Sequence, residues 1–532
     1  MTGDEYTLPY ASNPFGRCDA EGIPHRKANV VTTRVDEFPG QSLPVASTPR
    51  TPHDGRRLAL KALALAAVTL AAAAIAGTRL AGNPRQAAAV VFGVLVAAML
   101  ALAAVLVPWR RLPAPRADQV AALADLPADQ VARGKRLHAE LRPWAYAGKA
   151  VSLAATLGLG LTPAGSALVG WAGRLAGRSW VAQVLLGALA VTLIMQVLTI
   201  PFAARTHAIL VRYGLSTQTW RAWLVDGLKA LAVGGVILGI MLLGFYGAGH
   251  YFPRWWWVWA ASFLIVVSVL LTFIFPVMIA PIFNKFTPLQ DGPLRDRLLA
   301  LAARDGVKVR DVFVADASRR TRAVNAAVGG LGATRRIILF DNLLKPPANE
   351  AERDGVVNDG DAAKAMSDTL LRGATDDQIA VIVAHELAHA KYHDLLTRSV
   401  FGAFRLAAVM CGLYLLGGWA GLLHMAGVDS FTEPRALGLF LVAMSCIGAL
   451  LGPVNNLISR SVEARADRHA LDLTGDPAAF EGVWRHVVEV NLAEAKPGRI
   501  RHVLSADHPS IVERIATARA YARQVRAPEL VG

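Results

Sequence analysis

Apolar residues gather into eight long runs, near 58–77, 87–107, 149–171, 180–203, 227–248, 256–281, 406–427 and 436–458. At about 1.5 Å of rise per residue, a helix over any of them is long enough to cross about 30 Å of hydrocarbon. The third and seventh runs carry several glycines, and the third also a proline. Between the sixth and seventh runs the pattern changes character. Residues 292–305 have the period of an amphipathic helix. Three short runs follow, VRDVFVADAS (309–318), AVNAAVGGLG (323–332) and RIILFDNLL (336–344), with the branched residues and turn glycines of strands. Residues 346–374 are acidic and open on Pro346 and Pro347, as a mobile insert would. Thr375, Asp376, Asp377 and Gln378 then form a capping-box signature ahead of an apolar helical run.

The expected organisation follows. It has a polar, disordered tail (1–56), six transmembrane helices (57–281) and a catalytic segment (282–405) holding a small sheet, the 346–374 insert and one helix. Two further transmembrane helices (406–458), a C-terminal set of helices (459–525) and a short tail (526–532) complete it. The fold class is a predominantly α-helical multi-pass membrane protein of about seven or eight transmembrane helices, with a cytoplasmic α+β domain.

Composition agrees with the pattern. Of 532 residues, 54% are hydrophobic and 18% charged, against about a quarter charged in soluble proteins. Three cysteines stand far apart, which excludes a disulfide framework or a cysteine metal site. The formal charge of +15 resembles that of a nucleic-acid binder. Its distribution points instead to the bilayer, with no nucleic-acid partner. Arg110, Arg111, Arg116, Arg133, Lys135, Arg136 and Arg142 follow the second run, and Arg205, Arg212 and Arg221 the fourth, whereas the alternate loops are poor in cations. This alternation puts the N-terminus, the 282–400 segment and the C-terminus in the cytoplasm of a cell-membrane protein. The aromatic run YFPRWWWVW (251–259) suits the headgroup level.

The helical run after the capping box reads AVIVAHELAHAKYHD (380–394). His385 and His389, four apart, share a helix face and can bind one Zn²⁺, with Glu386 beside them as the general base. A catalytic zinc needs a third protein ligand. On a straight helix His393 lies about 12 Å along the axis from His385, and Asp394 is as distant, so neither reaches the same ion. Glu463, in SRSVEARADRHALD (459–472), completes a His₂Glu set. Asp467, four residues on, is placed to accept a hydrogen bond from a ligand histidine's other nitrogen. His393, His424, His469, His486 and His502 are expected to be surface or satisfied histidines.

HELAH (385–389), EARAD (463–467), HPSIVER (508–514) and NAAVGGLGATRRIILFDNLL (325–344) occur in one order, with RLHAELRPWAYAGKAVSLA upstream. Together they resemble the integral-membrane zinc metallopeptidases of the CAAX prenyl protease 1 type, over roughly residues 115–525. The resemblance implies a zincin-like catalytic domain, one zinc on His385, His389 and Glu463, and Glu386 as base. It also implies an edge strand at Asn325 and Ala326 that takes the substrate backbone, His508 and Arg514 near the scissile bond, and a water-filled chamber among the helices. The extra run at 58–77, the long tail and the acidic insert depart from the family pattern.

The expected function is therefore zinc-dependent endopeptidase action on membrane-associated or C-terminally processed polypeptides. A quality-control protease of the same fold is the nearest alternative. High Ala, Gly and Arg usage with little Lys points to a GC-rich bacterial genome, and so away from a prenylated substrate. A membrane di-iron oxidase would need about eight clustered histidines, where only His385, His389 and His393 cluster. A transporter or silent scaffold would place its polar groups near the bilayer midplane instead.

Overall fold

A computed structural model describes residues 82–109, 114–177, 179–330, 334–344 and 373–526. The expected N-terminal tail, the 58–77 run and nearly all of the 346–374 insert lie outside the described residues.

Six described helices are long and apolar enough to span a bilayer, or seven if one bent pair counts as a span. They are α1 (Pro84–Leu106), α4 (Trp180–Arg212), α5 (Trp220–Tyr251), α6 (Trp256–Phe283), α9 (Asp394–Leu416) and α10, which lies within Pro434–Thr474. The bent pair is α2 (Ala128–Gly160) and α3 (Pro163–Arg174), at 77° to each other. Here the glycines noted in the third run have their effect. A Cβ on Gly160 would lie 2.4 Å from the Gly438 carbonyl oxygen, so only glycine lets α2 end against α10. Thr162 then caps α3, its hydroxyl accepting from the Ala164 N–H at 3.3 Å. Large apolar side chains such as Leu100, Val197, Val236, Val266 and Leu450 remain exposed along these helices, as expected of a lipid-facing surface.

Two spans differ from the sequence expectation. The run expected at 406–427 is a helix over Asp394–Leu416, closed by a turn at Gly417 and Gly418. The polar Thr397, Arg398 and Ser399 mask its first turns from a hydropathy window. The last run does not stop at 458. Helix α10 continues without a break over Leu437–Thr474, through Pro453, about 57 Å at the usual rise. Its apolar half packs among the spanning helices and its polar half joins the domain that carries the sheet.

That domain holds a four-stranded sheet in the order β1-β2-β4-β3, with β1 Phe286–Pro288, β2 Asp311–Ala315, β3 Ala326–Gly329 and β4 Arg336–Phe340. Strands β2 and β4 are parallel, and β3 pairs antiparallel with β4, so β3 is an edge. Between β1 and β2 lies α7 (Pro293–Arg304), the expected amphipathic helix. Helix α8 (Asp376–Lys391) begins at the expected capping box: Thr375 Oγ1 accepts from the Gln378 N–H at 3.2 Å and Gln378 Oε1 from the Thr375 N–H at 3.0 Å. Ile379, Val383 and Leu387 on α8 pack with Val312, Ile337 and Leu339 of the sheet and with Phe480 and Val483 of α11 (Pro477–Val490). Helix α12 (Ile511–Arg526) closes the domain.

Candidate metal centre and catalytic site

Helix α8 lays His385 and His389 on one face, with ring centroids 5.0 Å apart. Ligand atoms of His385, Glu386 and His389 all lie within 4.8 Å of one another. The polar half of α10 crosses beneath and brings Glu463, only 4% exposed, to both imidazoles. His385 Nε2 is 3.1 Å from Glu463 Oε2, and His389 Nε2 is 3.6 Å from Oε1. Donors at about 2.0–2.2 Å from one tetrahedral ion stand about 3.3–3.5 Å apart. The observed pairs bracket that spacing.

The outer nitrogens face carboxylates. His389 Nδ1 lies 2.8 Å from Asp394 Oδ2, and His385 Nδ1 lies 3.0 Å from Asp467 Oδ1. The second pair is close but not aligned as a hydrogen bond, and neither atom has another hydrogen-bond partner. Protons held at Nδ1 leave the Nε2 lone pairs aimed at the Glu463 carboxylate. Lone pairs facing lone pairs at this range repel unless a cation lies between them. The two carboxylates favour positive charge at His385. Burial alone would push its pKa down, but Asp467 and Glu463 overcome burial and raise it to about 10. A His₂Glu donor set of this shape fits zinc.

Three arginines and a histidine surround the carboxylates. Arg514, on α12, spans both acids of α10: Nη2 is 3.3 Å from Glu463 Oε2 and Nη1 is 3.2 Å from Asp467 Oδ1. Its guanidinium lies 4.1 Å from the Trp484 ring centroid, and the side chain is 3% exposed. His508 Nε2 lies 3.4 Å from Glu463 Oε2, yet that side chain is 54% exposed. Arg398, on α9, approaches Glu463 Oε1 at 3.7 Å and is also open to solvent. Arg465 pairs with Asp394 and stacks over Tyr392 at 4.4 Å.

The structure thus brings His385, Glu386, His389, Glu463, Asp467, His508 and Arg514 together. Asn325 and Ala326 stand at the start of the edge strand, where the Asn325 side-chain oxygen accepts from the Ala326 N–H at 2.9 Å. The straight-helix premise for His393 and Asp394 needs correcting. Helix α8 stops at Lys391, and His393 adopts φ 56°, ψ 38°, the left-handed region. The helix is broken there, and Asp394, first residue of α9, meets the outer nitrogen of His389. Sequence reasoning missed Asp394, Arg398 and Arg465. The one available signal was an acid opening a new apolar run five residues after His389. Among the remaining histidines, His469 is satisfied, with Nε2 3.0 Å from Asp305 Oδ1.

Comparison with known proteins agrees. Residues 139–285 match the family model described as CAAX prenyl protease N-terminal, five membrane helices. Residues 360–522 match that of peptidase family M48. The chain belongs to the M48 peptidases of the CAAX prenyl protease type. This M48 chain is 26% identical to an uncharacterized metalloprotease, YhfN, of Bacillus subtilis, over 64% of itself and 73% of that protein. It is 29% identical to a CAAX prenyl protease 1 homolog of Arabidopsis thaliana, over 60% of itself and 69% of that protein. With CAAX prenyl protease 1 of Saccharomyces cerevisiae the identity is 26%, over 59% and 67%. Its fold is similar to the crystal structure of S. mikatae Ste24p, with a TM-score of 0.53 and 25% identity, covering 66% of this chain and 79% of that one. The M48 chain is accordingly a multi-pass membrane metalloprotease that acts on polypeptides.

Proposed function

We propose that the metal is a single Zn²⁺ held by His385, His389 and Glu463, and that the chain is an endopeptidase for membrane-associated or C-terminally processed polypeptides. One observation carries the reading: two Nε2 atoms and one carboxylate converge at ligand-to-ligand spacing, while both Nδ1 atoms face aspartates. Zinc, when bound, would polarise the scissile carbonyl and acidify a water. Glu386 takes the proton from the attacking water and returns it to the leaving amine. Asp394 and Asp467 hold the imidazoles with their Nε2 lone pairs inward. Arg514 is buried behind the acids and fixes their carboxylates, whereas His508 stands on the open side, where it can donate a hydrogen bond to the substrate. The substrate backbone pairs with the edge strand β3, which opens at Asn325 and Ala326.

The site is cytoplasmic in this reading, supported by the alternation of loop cations. The relatives named CAAX prenyl proteases favour substrates cut near their C-termini. The test is a paired measurement on protein in detergent: zinc per chain and cleavage of membrane-derived peptides, before and after chelation. One zinc per chain, with cleavage lost on chelation and restored by zinc, is expected. Full cleavage by metal-free protein would refute the assignment.

A further inference from the structure

In the antiparallel pair of β3 and β4, alternate residues turn both backbone groups to the partner strand. The Asn325 carbonyl accepts from the Phe340 N–H at 3.0 Å, and the register places Ala327 opposite Ile338 and Gly329 opposite Arg336. Residues 325, 327 and 329 therefore face β4. Val324, Ala326 and Val328 face the open edge.

Two of these three outward N–H groups are already taken. The Val324 N–H donates to Asn491 Oδ1 at 2.9 Å, and Asn491 Nδ2 donates to the Val324 carbonyl at 3.2 Å. One side-chain amide thus satisfies both backbone groups of Val324, as a neighbouring strand would. The Ala326 N–H is taken by Asn325 Oδ1. Among the described residues, Val328 is the first whose outward N–H and C=O have no protein partner.

Asn491 is held in place by a strained and closely packed corner. It ends α11, its N–H donating to the Val487 carbonyl at 3.0 Å. Leu492 follows with φ 49°, unusual for a branched side chain, and is fully buried against Leu137, Leu141, Ile209 and Tyr213. Across from it stands Gly134 of α2, where a Cβ would lie 2.9 Å from the Leu492 carbonyl oxygen. The membrane helices thus brace the residue that closes the edge.

We propose that Asn491 is the stop of the substrate register: it occupies Val324, so that a bound peptide adds to β3 from Val328 and cannot pair back to Val324. The inference rests on the reading that the substrate adds to β3. It makes Asn491 a specificity-determining residue, because the stop limits how many substrate residues on one side of the scissile bond are held by backbone pairing. Removing the amide frees one N–H and one C=O.

The experiment uses the full chain, loaded with zinc, and a ladder of synthetic peptides extended one residue at a time at either end. With wild type, KM stops falling once a peptide reaches the stop. In Asn491→Ala, KM should fall by a further three- to tenfold or so for peptides one or two residues longer at one end only, with zinc content unchanged. Asn491→Asp keeps the acceptor for the Val324 N–H and loses the donor to its carbonyl. It should show a smaller gain at the same end, and it carries the test if the alanine variant does not fold. A change in KM or kcat by one factor at every length, or none, overturns the stop. Val328→Pro checks the underlying reading separately, since it deletes only an outward N–H at an edge. Cleavage should collapse with zinc retained. If Val328→Pro cleaves like wild type, β3 is not the substrate strand and the stop falls with it. If it is inactive while Asn491→Ala shows no length dependence, only the stop is wrong.

Discussion

His389 Nδ1 and Asp394 Oδ2 meet at 2.8 Å across a break between two helices. Asp394 is 6% exposed, and its other oxygen pairs with Arg465. It is also the first residue of α9, so a membrane-crossing helix begins on the carboxylate that orients a proposed metal ligand. Removing such a partner typically weakens metal binding by about 10- to 100-fold. Asp394→Ala should do so, measured by competition with a chelator. Asp394→Asn, which can still accept from Nδ1 but carries no charge, should lose less. Unchanged zinc affinity in Asp394→Ala would reduce the contact to a helix terminus.

The two glutamates should separate by role. Glu463→Ala, His385→Ala and His389→Ala each delete a ligand and should lose zinc together with cleavage. Glu386→Gln keeps the shape and removes the basicity. Zinc should stay bound while cleavage falls by about 10²–10⁴-fold or more. Loss of metal in Glu386→Gln, with retention in Glu463→Ala, would reverse the assignment.

Why some of this was legible in sequence and some was not has a physical basis. Local signals survived into the structure: the capping box at Thr375 and Gln378, the four-residue spacing of His385 and His389, and the amphipathic period of α7. Glu463 was legible as a candidate because a catalytic zinc demands a third ligand and few acids sit on a suitable helix. What failed depended on backbone that the sequence does not announce. A non-glycine residue with positive φ is rare, so the helix break at His393 had no visible cause, and the contact of Asp394 with the outer nitrogen of His389 went unforeseen. Helix α9 starts on polar residues and so hid its first three turns. Asn491 pairs with Val324 from 167 residues away, and nothing local to either marks it.

Orientation is checked by reporter fusions. The cation-rich loops after the second and fourth apolar runs predict cytoplasmic signals near residues 130, 215 and 525, and outside signals near 82 and 430. An outside signal at 525 would move the site to the opposite face of the membrane.

The acidic stretch opening on Pro346 and Pro347 precedes the Thr375 cap of α8. Neither the three proposed ligands nor the carboxylates facing their outer nitrogens come from it. Replacing 350–370 by a short Gly/Ser linker should therefore leave zinc content unchanged. Metal lost on that replacement would show that the insert helps to form the site.

Arg514 and His508 both approach Glu463 Oε2, at 3.3 and 3.4 Å, and differ in exposure, 3% against 54%. That difference predicts opposite signatures. Arg514 offsets two buried carboxylates, and its removal leaves Glu463 and Asp467 without their nearest permanent cation. Breaking a buried pair by deleting one partner costs about 3–5 kcal/mol. Arg514→Met, which keeps much of the length against Trp484, should therefore lower the unfolding midpoint sharply in metal-free protein. Bound zinc supplies positive charge at the same carboxylates, so the loss should be smaller in zinc-loaded protein, and zinc should raise the midpoint of the variant more than that of wild type. His508 is on the open side, and its approach to Glu463 is exposed to solvent. His508→Ala should keep both midpoints and the zinc content while cleavage falls, which marks a group that acts on substrate. Thermal unfolding with and without zinc, beside cleavage rates, reads both variants. If Arg514→Met unfolds like wild type in both states yet is inactive, the arginine acts on substrate and not on Glu463 and Asp467.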